Sequence, residues 1–109
     1  MSILGNLLFR GGAEKGIDLP SLIKNGALVI DTRTSGEFAG GHIEGAINIP
    51  YDMIANVIGK YETDKSKPIV VYCHSGARSA AAKKSLMAAG YTNVVNGGSL
   101  HHVHHALAQ

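Results

Sequence analysis

Short apolar runs alternate along this chain with stretches in which apolar residues recur at helical spacing. Leu19-Pro20-Ser21-Leu22-Ile23-Lys24-Asn25-Gly26 reads as a short helix with glycine at its exit, and Ala27-Leu28-Val29-Ile30, ending at Asp31, reads as a strand. A second short strand, 46–49, stops at Pro50. Met53, Ile54, Val57, Ile58 and Tyr61 then keep helical spacing up to a turn-rich segment at 62–66. Behind Pro68, the run Ile69-Val70-Val71-Tyr72 has the composition of a buried parallel strand, and the alanine-rich stretch from about Arg78 to Ala89, closed by Gly90, reads as a helix. Asn93-Val94-Val95 reads as the last strand, Gly97-Gly98 as a turn, and 99–107 as a final helix. Strands that alternate with helices throughout predict an α/β domain, a parallel sheet covered on both faces.

Ligands of such sheets bind beyond the carboxyl ends of the strands. Two chemically useful residues fall there, Asp31 and Cys73. Cys73 is the chain's only cysteine, and the loop Cys73-His74-Ser75-Gly76-Ala77-Arg78-Ser79 carries it from strand to helix. The unpaired amide hydrogens and positive dipole end of a helix start, joined by the Arg78 guanidinium, favour thiolate over thiol and suit an anionic substrate. A buried structural cysteine is the alternative, but the loop position, Gly76 and Arg78 favour a reactive one. Gly76 is expected to supply a glycine-only backbone conformation that lets the loop amides converge.

Composition narrows the class. At 109 residues the chain is long enough for one domain with its own core, taken as about 17–108, and too short for two. A net charge of +2 with interspersed signs gives no nucleic-acid surface and no polybasic membrane anchor. One cysteine excludes an intramolecular disulfide and a Cys-x-x-Cys redox pair, so whatever loads Cys73 must be discharged by an external molecule. The apolar stretches fall well short of the roughly 18 residues that span a bilayer, and residues 1–10 make a poor secretory signal. A soluble, cytoplasmic protein is expected; the periplasm stays open, since a chain that had lost its leader would look the same.

Four segments together resemble the single-domain rhodaneses, sulfurtransferases that use thiosulfate or persulfides. Asp31-Thr32-Arg33 with Glu37-Phe38 resembles the family's first signature, and Gly41-His42-Ile43-Glu44-Gly45-Ala46-Ile47-Asn48-Ile49-Pro50 its second. The 73–79 loop resembles the active-site loop, and Gly90-Tyr91-Thr92-Asn93-Val94 with Asn96-Gly97-Gly98 the closing strand and turn. The resemblance covers about 28–103. It implies a small doubly wound α/β domain with Cys73 as catalytic nucleophile, no cofactor, a small sulfur anion as donor and a thiol, cyanide or protein as acceptor. The expected oligomeric state is a monomer or weak dimer.

On this reading the loop residues His74, Ser75, Gly76, Ala77 and Arg78 bind substrate. Arg33 is also counted among the substrate contacts, although bracing of the loops is an equal alternative; Asp31 is expected to brace them. The resemblance makes His42 part of a structural turn rather than a base. Where double-domain members carry cations directly after the cysteine, this chain has His74 and Ser75, which points to weak thiosulfate turnover and another physiological donor. Competing readings are a persulfide carrier, a non-enzymatic interaction module, and a phosphatase or arsenate reductase. The last is disfavoured because four residues, not five, separate Cys73 from Arg78. His101, His102, His104 and His105 form a final cluster, with His101, His104 and His105 on one helical face. No acid completes a ligand set there, and no metal is assigned.

Overall fold

In the computed structural model of the chain, residues 9–10 and 13–109 are described. Most of the opening segment judged a poor secretory signal lies outside them. Strands β1 (Phe9–Arg10) and β2 (Ala13–Glu14) pair antiparallel, followed by α1 (Leu19–Lys24), β3 (Leu28–Asp31), α2 (Ser35–Ala39) and β4 (Ile47–Asn48). Then come α3 (Ile54–Val57), a 3₁₀ turn at Ile58–Lys60, β5 (Ile69–Cys73), α4 (Ala77–Ala88), β6 (Val94–Ser99) and α5 (Leu100–Leu107). The main sheet has the order β4-β3-β5-β6, and every pairing in it is parallel.

Side-chain alternation in the two central strands divides the core. Ile30, Ile69 and Val71 face α3 and α4, where they meet Ile54, Ile58, Ala82 and Leu86. Val29, Val70 and Tyr72 face the opposite layer, where they meet Leu19 of α1, Val103 of α5 and Ile43. The fold is therefore a small doubly wound α/β domain with helices on both faces. All five residues of β5 are buried, as a continuous apolar run in a central parallel strand requires.

Three elements differ from the sequence reading. The helix expected over 53–61 is split into α3 and the 3₁₀ turn; Ile54 and Ile58 keep their buried positions, but Gly59, a weak helix former, sits where the α-helix would continue. Helix α2 was not predicted, since five residues carry too little periodicity. Its signal was the capping box: the Thr34 hydroxyl accepts from Glu37 N at 3.2 Å and the Glu37 carboxylate accepts from Thr34 N at 3.0 Å. Gly97 and Gly98 form no turn. They lie inside β6, where the register slips so that Val71 faces Asn96 but Tyr72 faces Gly98. Gly98 has φ +88°, and a Cβ there would meet the Ala13 Cβ at 2.8 Å. Glycine is needed here on two counts, the left-handed backbone and the close approach of β2.

The carboxyl ends of β3 and β5 are joined by a buried polar cluster. The Asp31 carboxylate accepts from Arg33 N at 2.9 Å, from Arg33 Nη2 at 2.7 Å and from the Tyr72 hydroxyl at 2.8 Å. Tyr72 in turn accepts from Ile43 N at 3.0 Å, and Arg33 Nη2 also donates to Gly41 O at 2.7 Å. Burial, with the acidic neighbour Asp31, holds the Tyr72 phenol far above its ordinary value. Breaking such a pair strands a charge in the interior. Asp31→Ala is therefore expected to cost about 3–5 kcal/mol in urea unfolding, against about 2 kcal/mol for Tyr72→Phe, which leaves the Ile43 amide short of an acceptor. A loss below about 1 kcal/mol for Asp31→Ala would contradict this account.

Candidate active site

Cys73 ends β5, and its sulfur is buried at the start of α4. The three residues His74-Ser75-Gly76 make the turn, and Gly76 reaches φ +97° to reverse the chain into the helix. That conformation brings the Gly76 N–H to 2.9 Å from Sγ. The Ser79 hydroxyl lies 3.5 Å from Sγ on the first turn of α4. Burial pushes the Cys73 thiol up. Hydrogen bonds from the Ser79 hydroxyl and from the Ser79, Gly76 and Ser75 amides outweigh that, and the thiol ends below its ordinary value. The helix-start amides, which the sequence reading invoked, thus converge on the sulfur.

The sequence-predicted residues divide between the loop and its supports. His74, Ser75 and Ala77 are exposed, with Gly76 buried beneath them. Arg78 does not point freely at the loop mouth. Its Nη1 and Nη2 donate to Glu37 Oε1 at 2.8 Å and Oε2 at 3.0 Å, a bidentate pair between α4 and α2. The Arg78 charge at the loop is already half-answered by a carboxylate, so the cradle's attraction for anions rests mainly on its amides. With Arg78 as the chief cause, followed by the Thr34 amide, the Glu37 carboxyl is held at about 2. Arg33, expected either to contact substrate or to brace the loops, is only 5% exposed and spends Nε and Nη2 on Asp31 and Gly41 O, the arrangement of a brace. His42 is exposed, stacks on Phe38 at 3.6 Å between ring centroids and bonds Phe38 O through Nδ1 at 2.8 Å.

Two residues outside the predicted set support the sulfur from beneath. Asn96 is 2% exposed in β6; its Oδ1 accepts from the Ser79 hydroxyl at 2.7 Å and from Gly98 N at 2.9 Å, and its Nδ2 donates to Gly76 O at 3.2 Å. Asn96 thereby fixes Ser79, whose hydroxyl lies beside Sγ, and the carbonyl of Gly76, whose N–H donates to Sγ. The sequence showed it only as an asparagine before two glycines, which is also a turn pattern.

Set beside known proteins, the family model described as "Rhodanese-like domain" matches residues 17–99. The chain belongs to the rhodanese-like domain family. It is 39% identical over 71 residues to the Thiosulfate sulfurtransferase PspE of Escherichia coli strain K12, covering 65% of this chain and 68% of that protein. It is also 40% identical over 82 residues to a Sulfurtransferase of Allochromatium vinosum, covering 73% of this chain and 75% of the relative. A solved structure described as "rhodanese with anions from E. coli" superposes with a TM-score of 0.68 at 37% identity, covering 70% of this chain and 89% of that one. The enzymatic class that goes with this membership is sulfurtransferase. Among the described residues, no helix is long and apolar enough to cross a membrane.

Ser79→Ala removes a donor to the sulfur, so the pH profile of Cys73 alkylation by iodoacetamide is expected to move to higher pH. The rate at neutral pH should fall roughly threefold to tenfold, the worth of one hydrogen bond. An unmoved profile would assign the thiolate to the amides alone. Lowering pH from about 4.5 to about 2 is expected to protonate Glu37 and release Arg78, because a depressed carboxylate contributes above its unfolded value and loses that contribution as pH falls through the folded one. An NMR titration of the Glu37 side-chain carboxyl checks this, and a midpoint near 4.5 would contradict it.

Proposed function

We propose that Cys73 takes a sulfane sulfur from a small donor, holds it as a persulfide and passes it to a thiophilic acceptor. The observation that carries this reading is the buried sulfur at a helix start with the Gly76 amide 2.9 Å away. With thiosulfate as donor, the Cys73 thiolate attacks the outer sulfur, a Cys73 S–S bond forms, and the bond to the sulfonate breaks with its electron pair leaving on sulfite. The resulting persulfide anion stays among the loop N–H groups, preorganised donors that need no rearrangement to meet its charge. An acceptor thiolate or cyanide then attacks the terminal sulfur, and the electron pair of the broken S–S bond returns to Cys73 as thiolate.

No proton transfer is needed when nucleophile and leaving group are both anions. This fits a site in which the exposed histidines His42 and His74 are not hydrogen-bonded to the sulfur, whose side-chain donor is Ser79. The exposed His74 and Ser75 put no fixed cation beside the sulfur, and Arg78 is paired with Glu37, which supports slow turnover of thiosulfate itself and a different physiological donor. The same pairing argues against the phosphatase reading, in which a free guanidinium must grip the phosphate. A cytoplasmic setting, where thiols stay reduced, suits a carrier with a single cysteine.

Intact mass spectrometry of the reduced protein after incubation with thiosulfate tests the half-reaction. A gain of one sulfur, about 32 Da, is expected, reversed by cyanide and absent in Cys73→Ser. That variant should stay folded by circular dichroism, since oxygen for sulfur is a small change of volume. Sulfur loading retained in Cys73→Ser would overturn the mechanism. No gain in a protein whose Cys73 still alkylates would favour loading from a protein persulfide or a non-enzymatic interaction role.

A further inference from the structure

Four of the six histidines, from three distant segments, surround one cavity of about 460 Å³. His42 comes from the loop after α2, His74 from the Cys73 loop, and His101 and His104 from α5; Ser99 and Leu100 complete the wall. His102 and His105 line a separate groove beside Leu19 and Gln109, and the His105 ring stacks on His101 at 6.4 Å between centroids. Its volume falls in the range of small-molecule sites, and its wall is largely apolar with several imidazoles. Among the described residues, no three His, Cys, Asp or Glu side chains gather closely enough to hold a metal ion.

We propose that this pocket binds the carboxylate of a small thiol acceptor whose sulfur discharges Cys73, an inference that rests on the reading of Cys73 as a sulfur carrier. Imidazoles donate an N–H whether neutral or charged, and convergent donors with few acids select an anion. His42 commits its Nδ1 to Phe38 O, which fixes that ring on the wall of the cavity. Glu44 shares the neighbouring groove with His42 and His104, and Arg33 reaches the same segment through Gly41 O. The end of the Cys73 strand is close by in the fold. Ser99 is the register partner of Cys73, so the pocket begins one strand spacing, about 4.8 Å, from the Cys73 backbone. The Cys73 side chain leans toward α4, whereas the pocket opens on the α5 side. An acceptor anchored there must reach over the strand end, which favours a thiol carried on an arm of peptide length over a compact one.

The probe that separates binding from chemistry is S-methylglutathione, which has the carboxylates of a peptide thiol but no free thiol. In an NMR titration of the full chain, the ring resonances of His42, His74, His101 and His104 are expected to shift saturably while those of His102 stay fixed. No saturable shift, or equal shifts in all six, would overturn the pocket. Persulfidated protein is then discharged with glutathione or cyanide. The ratio of the two rates is expected to fall about tenfold in His101→Ala/His104→Ala, equivalent to about 1.4 kcal/mol of acceptor binding. An unchanged ratio would overturn the acceptor role even if the probe binds. Failure to form the persulfide at all would sink the sulfurtransferase reading, and the titration would still decide the pocket.

Discussion

A carboxylate buried at the end of a central strand is the constraint around which this domain is arranged. Asp31 is fully inaccessible, and an isolated charge there would be too costly to keep. Its neutralisation by Arg33 draws in the Gly41 carbonyl, and its bond to Tyr72 draws in the Ile43 amide, so one charge fixes the ends of β3 and β5 and the segment that crosses between them. Asn48 adds the adjacent strand by donating to Asp31 O at 3.0 Å and Arg33 O at 2.9 Å. Every strand end that frames Cys73 on this side is thus held by hydrogen bonds to or around a single ion pair. The rigidity is polar, placed where the apolar core runs out.

The sulfur stands in the opposite electrostatic situation. Burial alone would protonate it, and among the described residues no cation is buried beside it to prevent that. Its environment is instead a convergence of dipoles: the Gly76 and Ser75 amides, the first turn of α4 and the Ser79 hydroxyl. Dipoles discriminate less sharply among anions than a guanidinium does, because they impose neither a fixed charge nor a planar fork. Arg78 could have supplied both, but Glu37 holds it. The bidentate pair serves a mechanical purpose, joining the short α2 to the helix that carries the site.

Much of this was legible in the sequence. The central strands were, because burial on both faces leaves continuous apolar runs, and so was the Cys73 turn, because glycine and an alanine-rich helix follow it directly. What escaped depends on contacts between distant segments. Arg78 meets Glu37 across 41 residues, and nothing local distinguishes a paired arginine from a free one. The sequence leaves Arg33 between substrate contact and bracing, since its burial follows from the sheet rather than from its neighbours. Asn96-Gly97-Gly98 reads as a turn by composition; only the approach of β2 and the slipped register reveal a bulge that turns Asn96 inward. Helix α2 lay below the length at which periodicity speaks, although its capping pair was present.

Ser79 has one hydroxyl proton and three neighbours able to accept it: Asn96 Oδ1 at 2.7 Å, Gly76 O at 3.1 Å and Sγ at 3.5 Å. Such a hydroxyl is a rotor. The shortest of the three bonds is to Asn96, and a turn about one bond redirects the proton toward the sulfur, with the Asn96 amide still anchored by Gly98 N and Gly76 O. The side-chain donor of the sulfur can therefore be redirected at the cost of one torsion and no backbone displacement. The softest degree of freedom beside the sulfur is a single O–H.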